Sequence, residues 1–366
     1  MANIRVKRQG EPFIRTVKRA EISKNKMIGL RLLALLLALV AGGLFILAIG
    51  YNPFNIYKTL ISGAFRSKLA IQGTIKIMIP LLITSLGVTL AFKMKFWNIG
   101  AEGQMITGAI FASYFALFHA DLPHALLLIL MLLAGILGGG LAALLPAYFK
   151  SRYNTNETLF TLMFNYIAFN IVVFLRESLW RDPASPGYAK IARFDKNAQL
   201  DKVFGVHAGW IIAIVLIVFV FIYLRYTKQG YEISVVGESQ ATATYAGMNV
   251  KKIVLRTMFI SGAICGVAGM IEVSGSAMTL TTGIAGGVGF TAIIVAWLGN
   301  LNPISIFVIS ALFSIMEKGS SVVESTFGLS QACADVLQGI ILFFVIGCEF
   351  FARYHFVMRK KGGAKA

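Results

Sequence analysis

The chain has 366 residues, of which 57 % are hydrophobic and only 14 % are charged, a balance far from that of ordinary soluble domains. Its net charge is +18, which in a soluble protein would suggest nucleic-acid binding. The sequence has no basic, aromatic-rich groove motif, and its basic residues gather at the tails and at the ends of apolar blocks, where they contact lipid head groups. We therefore expect a membrane protein with lipid, and no nucleic acid, as a partner.

Ten apolar blocks predict an all-α membrane protein with about ten transmembrane helices, because about 20 apolar residues cross a bilayer. The third, eighth and ninth blocks are short, which indicates tilted, broken or re-entrant segments. Pro80 in the second block predicts a kink or a break. The blocks lie near residues 28–50, 70–92, 104–119, 124–149, 157–180, 207–226, 253–273, 286–301, 303–318 and 332–352.

The two ends of the chain are basic. An N-terminal arm at residues 1–27 precedes the apolar run at 28–50. A signal peptide has an apolar core of only about 7–15 residues, so this run is interpreted as the first retained span. We expect a transmembrane domain at 28–352 and a basic tail at 353–366. Lysine and arginine in both tails favour cytoplasmic termini.

Polar residues interrupt the apolar pattern at residues 96–104. In an ordinary turn, Asn98 would cap a helix and Glu102 would lie near the positive end of the helix dipole. As a functional segment, the same residues would line a substrate path, because intramembrane carboxylates are costly and mark pathways. Further along the chain, Asn165 and Asn170 fall inside an apolar helix, where an amide needs a polar partner. Both interpretations remain open.

Two more segments break the apolar pattern. Residues 238–246 favour a short helix in a loop between spans, followed by Gly247, which suits a left-handed C-terminal position. Such a helix lies on the membrane surface or docks into a partner protein. Before it, Asn154 and Glu157 have capping-box spacing, which predicts a helix start. The last segment, residues 286–303, begins with glycines and closes with a polar turn and a proline.

Three of these motifs, in order along the chain, resemble those of the permeases of the ribose, simple-sugar and nucleoside branch of bacterial ABC importers. They are Asn98-Ile99-Gly100-Ala101-Glu102-Gly103-Gln104; Gly237, Ala243 and Gly247 followed by Ser261-Gly262-Ala263; and Gly289-Phe290 followed by Leu298-Gly299 and Pro303. The resemblance covers roughly residues 70–350. The segment around Asn156-Glu157-Thr158 is closer to the nucleoside branch. Trp297-Leu298 stands where the family usually has an alanine before the glycine.

The resemblance implies an inward permease for nucleosides, or for simple sugars such as ribose, in the bacterial plasma membrane. It implies an ATPase partner, a second permease that is identical or homologous, and an extracytoplasmic substrate-binding protein. The sequence contains no GxxxxGK[ST] phosphate loop, so we expect no ATP-hydrolysing site and no cofactor in this chain, with ATP and Mg bound by the partner ATPase.

The resemblance also suggests which residues act in transport by alternating access. We expect four polar residues to line the translocation path: Asn98, Glu102, Gln104 and Asn165. We expect five residues of the loop before residue 250 to couple the chain to the ATPase: Gly237, Glu238, Ala243, Tyr245 and Gly247.

The main alternative is an ion-coupled secondary transporter of small polar solutes. Such a protein needs ionisable groups inside the membrane, and the candidates are Glu102, Glu272, Glu317 and Asp335. The last three fall near predicted span ends, where water is close. A membrane-embedded enzyme is a weaker alternative, because the four histidines and three cysteines have no metal-ligand spacing and no GxSxG motif is present.

Overall fold

The computed structural model describes residues 14–18, 24–330 and 354–358, together with 332–333, 336–337, 339–340, 343–344 and 347–348. The chain forms two compact units. The larger is Leu60–Val322, and the smaller combines Met1–Thr59 with Val323–Ala366.

The described chain is mainly helical. Short β-strands pair in two ladders, and a single 3₁₀ turn (Lys196–Ala198) and a π-helical turn (Glu272–Ala277) complete the elements. The α-helices are α1 (Lys24–Ala48), α2 (Pro53–Phe65), α3 (Lys68–Lys93), α4 (Ala101–Phe118), α5 (His124–Tyr153), α6 (Glu157–Glu177), α7 (Gly209–Tyr226), α8 (Lys228–Glu238), α9 (Gln240–Tyr245), α10 (Val250–Ile271), α11 (Val288–Leu298) and α12 (Pro303–Phe327). The strands are β1 (Ile14–Lys18), β2 (Lys202–Val203), β3 (Val206–His207) and β4 (Tyr354–Met358).

Side-chain caps fix several helix starts. The Ser67 hydroxyl accepts a hydrogen bond from the Ala70 amide at the start of α3, and the Asn156 side chain accepts one from Leu159 at the start of α6. The capping-box prediction was therefore wrong about the residue. Asn154 instead ends α5 in the left-handed conformation, with φ of 51°. The N-cap of α6 is Asn156, two residues further along the chain.

The core of the larger unit is α10, which packs against α3, α4 and α5. Glycines allow the closest contact. A Cβ on Gly266 would lie 2.0 Å from the Gly135 carbonyl oxygen, and one on Gly139 would lie 2.2 Å from that of Gly262. Gly135 and Gly139 on α5, and Gly262 and Gly266 on α10, each have GxxxG spacing, and the two pairs face each other across the α5–α10 interface, as small residues do where membrane helices approach closely.

In the described residues, six helices are long and apolar enough to cross a membrane, or seven if Leu36–Ala48 and Pro53–Phe65, which meet at 114°, form one broken span. The helical membrane class is thus confirmed, while the count of ten stays a prediction. The eighth block forms only the 11 residues of α11, and the tenth, 332–352, lies largely outside the described residues. Helix α3 is continuous through Pro80, so there is no break at this residue, and the kink predicted as the alternative stays a prediction.

In the smaller unit, the basic arm and the basic tail pair with each other. Strands β1 and β4 are antiparallel, with Ile14 opposite Met358 and Lys18 opposite Tyr354. Helix α1 ends at Ala48, before Gly50 with φ of 89°, and the chain then enters α2, which the apolar pattern did not predict.

Candidate functional site

The two ends of the larger unit differ in charge. At one end, α3 and α5 finish and α10 begins, and this end, here termed the basic end, carries Lys93, Lys95, Lys150, Arg152, Lys251 and Lys252. A cleft of about 400 Å³ lies there, lined in part by Lys95, Lys150 and Lys251. The other end, here termed the opposite end, holds the loops around 119–123 and 178–208, in which basic and acidic residues alternate.

Near the basic end, two amide side chains close the loop that leads into α4. Gln104 Nε2 donates to Asn98 Oδ1 over 3.0 Å, and Asn98 Nδ2 donates back to Gln104 Oε1 over 3.1 Å. Asn98 Oδ1 also accepts from the Gly100 amide. Both side chains are buried, 0 % and 1 % exposed, so this reciprocal pair satisfies their polar groups without water.

Helix α6 holds the same loop from the side. Asn165 Oδ1 accepts from the Gly103 amide at 2.8 Å, and Asn165 Nδ2 donates to the Ile99 carbonyl at 2.9 Å. One turn earlier, the Thr161 hydroxyl accepts from the Ile99 amide. Asn170 differs, because its amide is exposed and donates only to Tyr166 in its own helix. Asn165 therefore joins two helices, whereas Asn170 does not.

Glu102 joins α4 to the short helix α11. Its carboxylate accepts from the Gly287 amide at 2.8 Å and from the Gly289 amide at 2.6 Å. These amides lie at the N-terminus of α11, where the helix dipole favours a negative charge. A Cβ on Gly289 would lie 2.3 Å from the Glu102 nitrogen, so only glycine permits this approach. The carboxylate thus acts as the cap of a helix 185 residues further along the chain.

Three aromatic rings pack together at the basic end, next to this junction. Trp97 stacks on Trp297 with ring centroids 5.7 Å apart, and Phe92 contacts both rings. The bulky Trp297, unusual for the motif it occupies, therefore has a packed position. Its ring ties the end of α11 to the loop before α4.

The four predicted path residues thus converge on the start of α4. The polar side-chain groups of each residue form hydrogen bonds within the protein. The assignment of these residues to a substrate path stays a prediction. Sequence reasoning missed two members of the junction, Thr161 and Gly287. Thr161 lies one helical turn before Asn165, and this spacing on one helix face was the available signal.

The predicted coupling residues divide into two groups. Gly237 and Ala243 face inward, and a Cβ on Gly237 would lie 2.1 Å from the Lys93 carbonyl oxygen at the end of α3. Glu238 is exposed, and Tyr245 is 96 % exposed. The predicted helix forms α9, and Gly247 follows it with φ of 76°, as expected for a left-handed C-terminal residue. Glu238 and Tyr245 are therefore available to a partner.

The other acidic candidates lie elsewhere. Glu272 begins the π-helical turn after α10, and its Oε2 atom is buried without a hydrogen-bond partner among the described residues. Glu317 lies on α12, and Asp335 falls outside the described residues. Within the described chain, no three His, Cys, Asp or Glu side chains converge to hold a metal ion.

His207 is a buried histidine. It lies in β3 at the opposite end, is 1 % exposed, and contacts the Ser276 hydroxyl at 3.3 Å. Burial lowers the pKa of His207 to about 4, with the charge of Lys76 contributing. A Cβ on Gly209 or Gly275 would meet the imidazole ring, so both glycines leave room for a neutral histidine.

Residues 70–346 match the family described as branched-chain amino acid transport system / permease component. The chain is 30 % identical over 342 residues to the guanosine ABC transporter permease protein NupP of Bacillus subtilis, covering 91 % of this chain and 97 % of that protein. It is also 30 % identical over 342 residues to the glucose ABC transporter permease protein TsgB13 of Haloferax volcanii, covering 89 % of each. With the nucleoside ABC transporter permease protein NupB of Lactococcus lactis, identity is 29 %, covering 88 % of this chain and 92 % of that protein.

The start of α4 yields a stability prediction. Replacing Asn165→Ala leaves the Gly103 amide and the Ile99 carbonyl without their side-chain partner, so we expect the free energy of unfolding to fall by roughly 2–6 kcal/mol, at about 1–3 kcal/mol for each group. Thermal unfolding of the purified protein in detergent measures this loss. Asn170→Ala is the matched control and should unfold within a degree or two of wild type. Equal unfolding temperatures for the two variants would contradict the role assigned to Asn165.

The buried imidazole yields a pH prediction. His207 binds its proton near pH 6.5 when unfolded but only near pH 4 when folded, so the unfolded state binds more protons between these values. The free energy of unfolding should therefore fall as pH drops from about 6.5 to 4, by up to about 3 kcal/mol, and should be independent of this group above pH 6.5.

Comparison with His207→Phe isolates this contribution, because the carboxylates titrate alike in both proteins. The difference in unfolding temperature between the two should shrink or reverse as the pH is lowered. A difference that stays constant from pH 7.5 to 4.5 would show that His207 does not titrate on unfolding.

Proposed function

The chain belongs to the family of branched-chain amino acid transport system permease components, and from this premise we propose that it is the membrane-spanning permease subunit of an ATP-driven importer for nucleosides or simple sugars. The observation that carries this proposal is the similarity, over nearly the whole chain, to permeases named for guanosine, nucleosides and glucose. The importer would reside in the plasma membrane of a bacterium.

In this proposal, ATP is hydrolysed by a separate subunit, since the sequence contains no phosphate-loop motif. The exposed side chains of Glu238 and Tyr245 would contact that ATPase. Because Gly237 lies directly against the Lys93 carbonyl, a displacement of α8 and α9 would press on the end of α3. The next seven residues lead from that point to Gly100 and the start of α4, so the motion would reach the amide pair through a short segment.

The charge distribution supports an orientation. Short flanks rich in lysine and arginine remain on the cytoplasmic side, so the basic end would face the cytoplasm, as would α9. The pairing of β1 with β4 supports tails on a common side, because a strand ladder cannot form across a bilayer. A substrate-binding protein would then deliver solute to the opposite end, and a second permease subunit would complete the path.

Transport would proceed by alternating access at the start of α4. The polar groups of Asn98, Glu102, Gln104 and Asn165 converge there, where α11 also begins. Amide groups both donate and accept hydrogen bonds, which suits a neutral solute with many hydroxyl groups. Solute would pass beside this junction when the cytoplasmic side opens.

The substrate is tested by uptake of labelled guanosine, glucose and ribose in cells with and without this chain, keeping the partner genes intact. Loss of guanosine uptake alone would support a nucleoside importer, and loss of glucose or ribose uptake alone would support a sugar importer. If none of the three changes, the proposed substrate class is wrong.

The coupling residues give a separate prediction. Replacing Glu238→Lys together with Tyr245→Ala changes the exposed side chains at the ends of α8 and α9 but no buried contact, so uptake should fall at least tenfold while yield and unfolding temperature stay at the wild-type level. Tyr231→Ala, which alters an exposed tyrosine in the first turn of α8 away from the α8–α9 connection, should retain most uptake. Full uptake in the Glu238/Tyr245 variant would contradict the coupling assignment.

A further inference from the structure

An open-sided cleft of about 660 Å³ lies in the larger unit at the opposite end, between the first four turns of α3 and the start of α7. Its walls are apolar, with Ile71, Ile75, Ile79 and Leu82 from α3 and Ala213 and Ile214 from α7. The α3 residues recur at three- and four-residue intervals and so line one face of that helix. This cleft is separate from the junction at the start of α4.

The cleft has the depth of one bilayer leaflet. From Lys68 at its mouth to Leu82 at its base, α3 advances fourteen residues, or about 21 Å at 1.5 Å per residue. The hydrocarbon core of a bilayer is about 30 Å thick, so one leaflet contributes about 15 Å below the head groups. The apolar walls therefore lie where lipid acyl chains lie, and Lys68 lies at the level of the head groups.

The mouth of the cleft is cationic and aromatic. Lys68 lines it, and Arg66 and Lys202 are exposed chain neighbours of other lining residues. In the part of the chain that the structure describes, none of the three forms an ion pair. Phe204, 86 % exposed, packs beside Trp210 with ring centroids 6.4 Å apart, as aromatic residues do at a membrane interface.

The mouth is also held in a fixed shape. Phe204 and Gly205, with φ of 57° and 83°, form the two-residue turn between β2 and β3. Gln72 Nε2 donates to the Phe204 carbonyl at 3.1 Å, and a Cβ on Gly205 would lie 1.9 Å from that nitrogen. The hairpin is thus fastened to α3, so the cleft is formed before any ligand enters it.

We propose that this cleft binds an anionic phospholipid, with one acyl chain against the apolar walls and the phosphate beside Arg66, Lys68 and Lys202. An apolar wall one leaflet deep below an unpaired cationic rim matches an amphipathic anion. A helix of a second subunit would fill the apolar part but would leave the three cations without counter-charges. The lipid would therefore be a specific structural partner of the permease and not part of the mobile bilayer.

The test is native mass spectrometry of the full-length chain released from nanodiscs that contain equal amounts of phosphatidylglycerol and phosphatidylcholine. The wild-type protein should retain one phosphatidylglycerol in preference to phosphatidylcholine. Replacing Arg66→Gln, Lys68→Gln and Lys202→Gln together should remove the preference, by roughly fivefold for each charge near the membrane surface. Lys196→Gln, at the opposite end but outside the cleft, is the matched control and should keep it.

Filling the cleft tests the acyl-chain site independently of charge. Ile75→Trp, or Ala213→Phe if the first variant fails to fold, should abolish retention of the lipid, whereas Leu133→Trp on the exposed face of α5 should not. Equal retention of both lipids by the wild-type protein would overturn the proposal. So would a wild-type protein that retains no lipid and forms a stable dimer, since a second copy of the chain would then cover the cleft.

Discussion

The start of α4 depends on the pairing of polar groups where no water can pair them. Unsatisfied backbone groups cost several kcal/mol each in an apolar medium, so a helix that begins within a bundle needs donors and acceptors from its neighbours. The Asn98 side chain accepts from the Gly100 amide within the loop, and the Asn165 side chain accepts from the Gly103 amide across from α6. The Glu102 carboxylate, at the start of α4, accepts from the Gly287 amide at the start of α11. The positions of α4, α6 and α11 therefore follow from one hydrogen-bonded junction.

Glycine makes this junction and its connections possible. Gly289 lets α11 approach Glu102, and Gly237 lets α8 approach the last carbonyl of α3, each at a distance that any side chain would prevent. Direct backbone contact leaves no flexible side chain to absorb a displacement. In the proposed importer, this explains how an exposed helix of six residues, α9, could move the start of α4 through two short steps.

The sequence predicted most spans because apolar length is a local property, and it predicted α9 and Gly247 because helix ends have local signals. It missed α2, whose residues include Asn55 and Lys58 and do not form a continuous apolar run. The sequence also did not predict hydrogen bonds between residues far apart in the chain. Nothing near Glu102 indicates that the Gly287 amide donates to its carboxylate. The burial of His207 likewise depends on the turn after α10, which packs against β3 only in the folded chain.

The bonds at the junction differ in strength. Glu102 holds α11 through two charge-assisted hydrogen bonds, which are roughly twice as strong as neutral ones. Asn98 and Gln104 hold each other through neutral amide bonds, and each amide offers both a donor and an acceptor. A hydroxyl group of a sugar or a ribose ring is also both a donor and an acceptor. Such a group could therefore bond to Asn98 in place of Gln104, or to Gln104 in place of Asn98, and leave neither amide unpaired. In the proposed cycle, the amide pair would therefore exchange partners as solute passes, while the carboxylate would keep the two helix starts together.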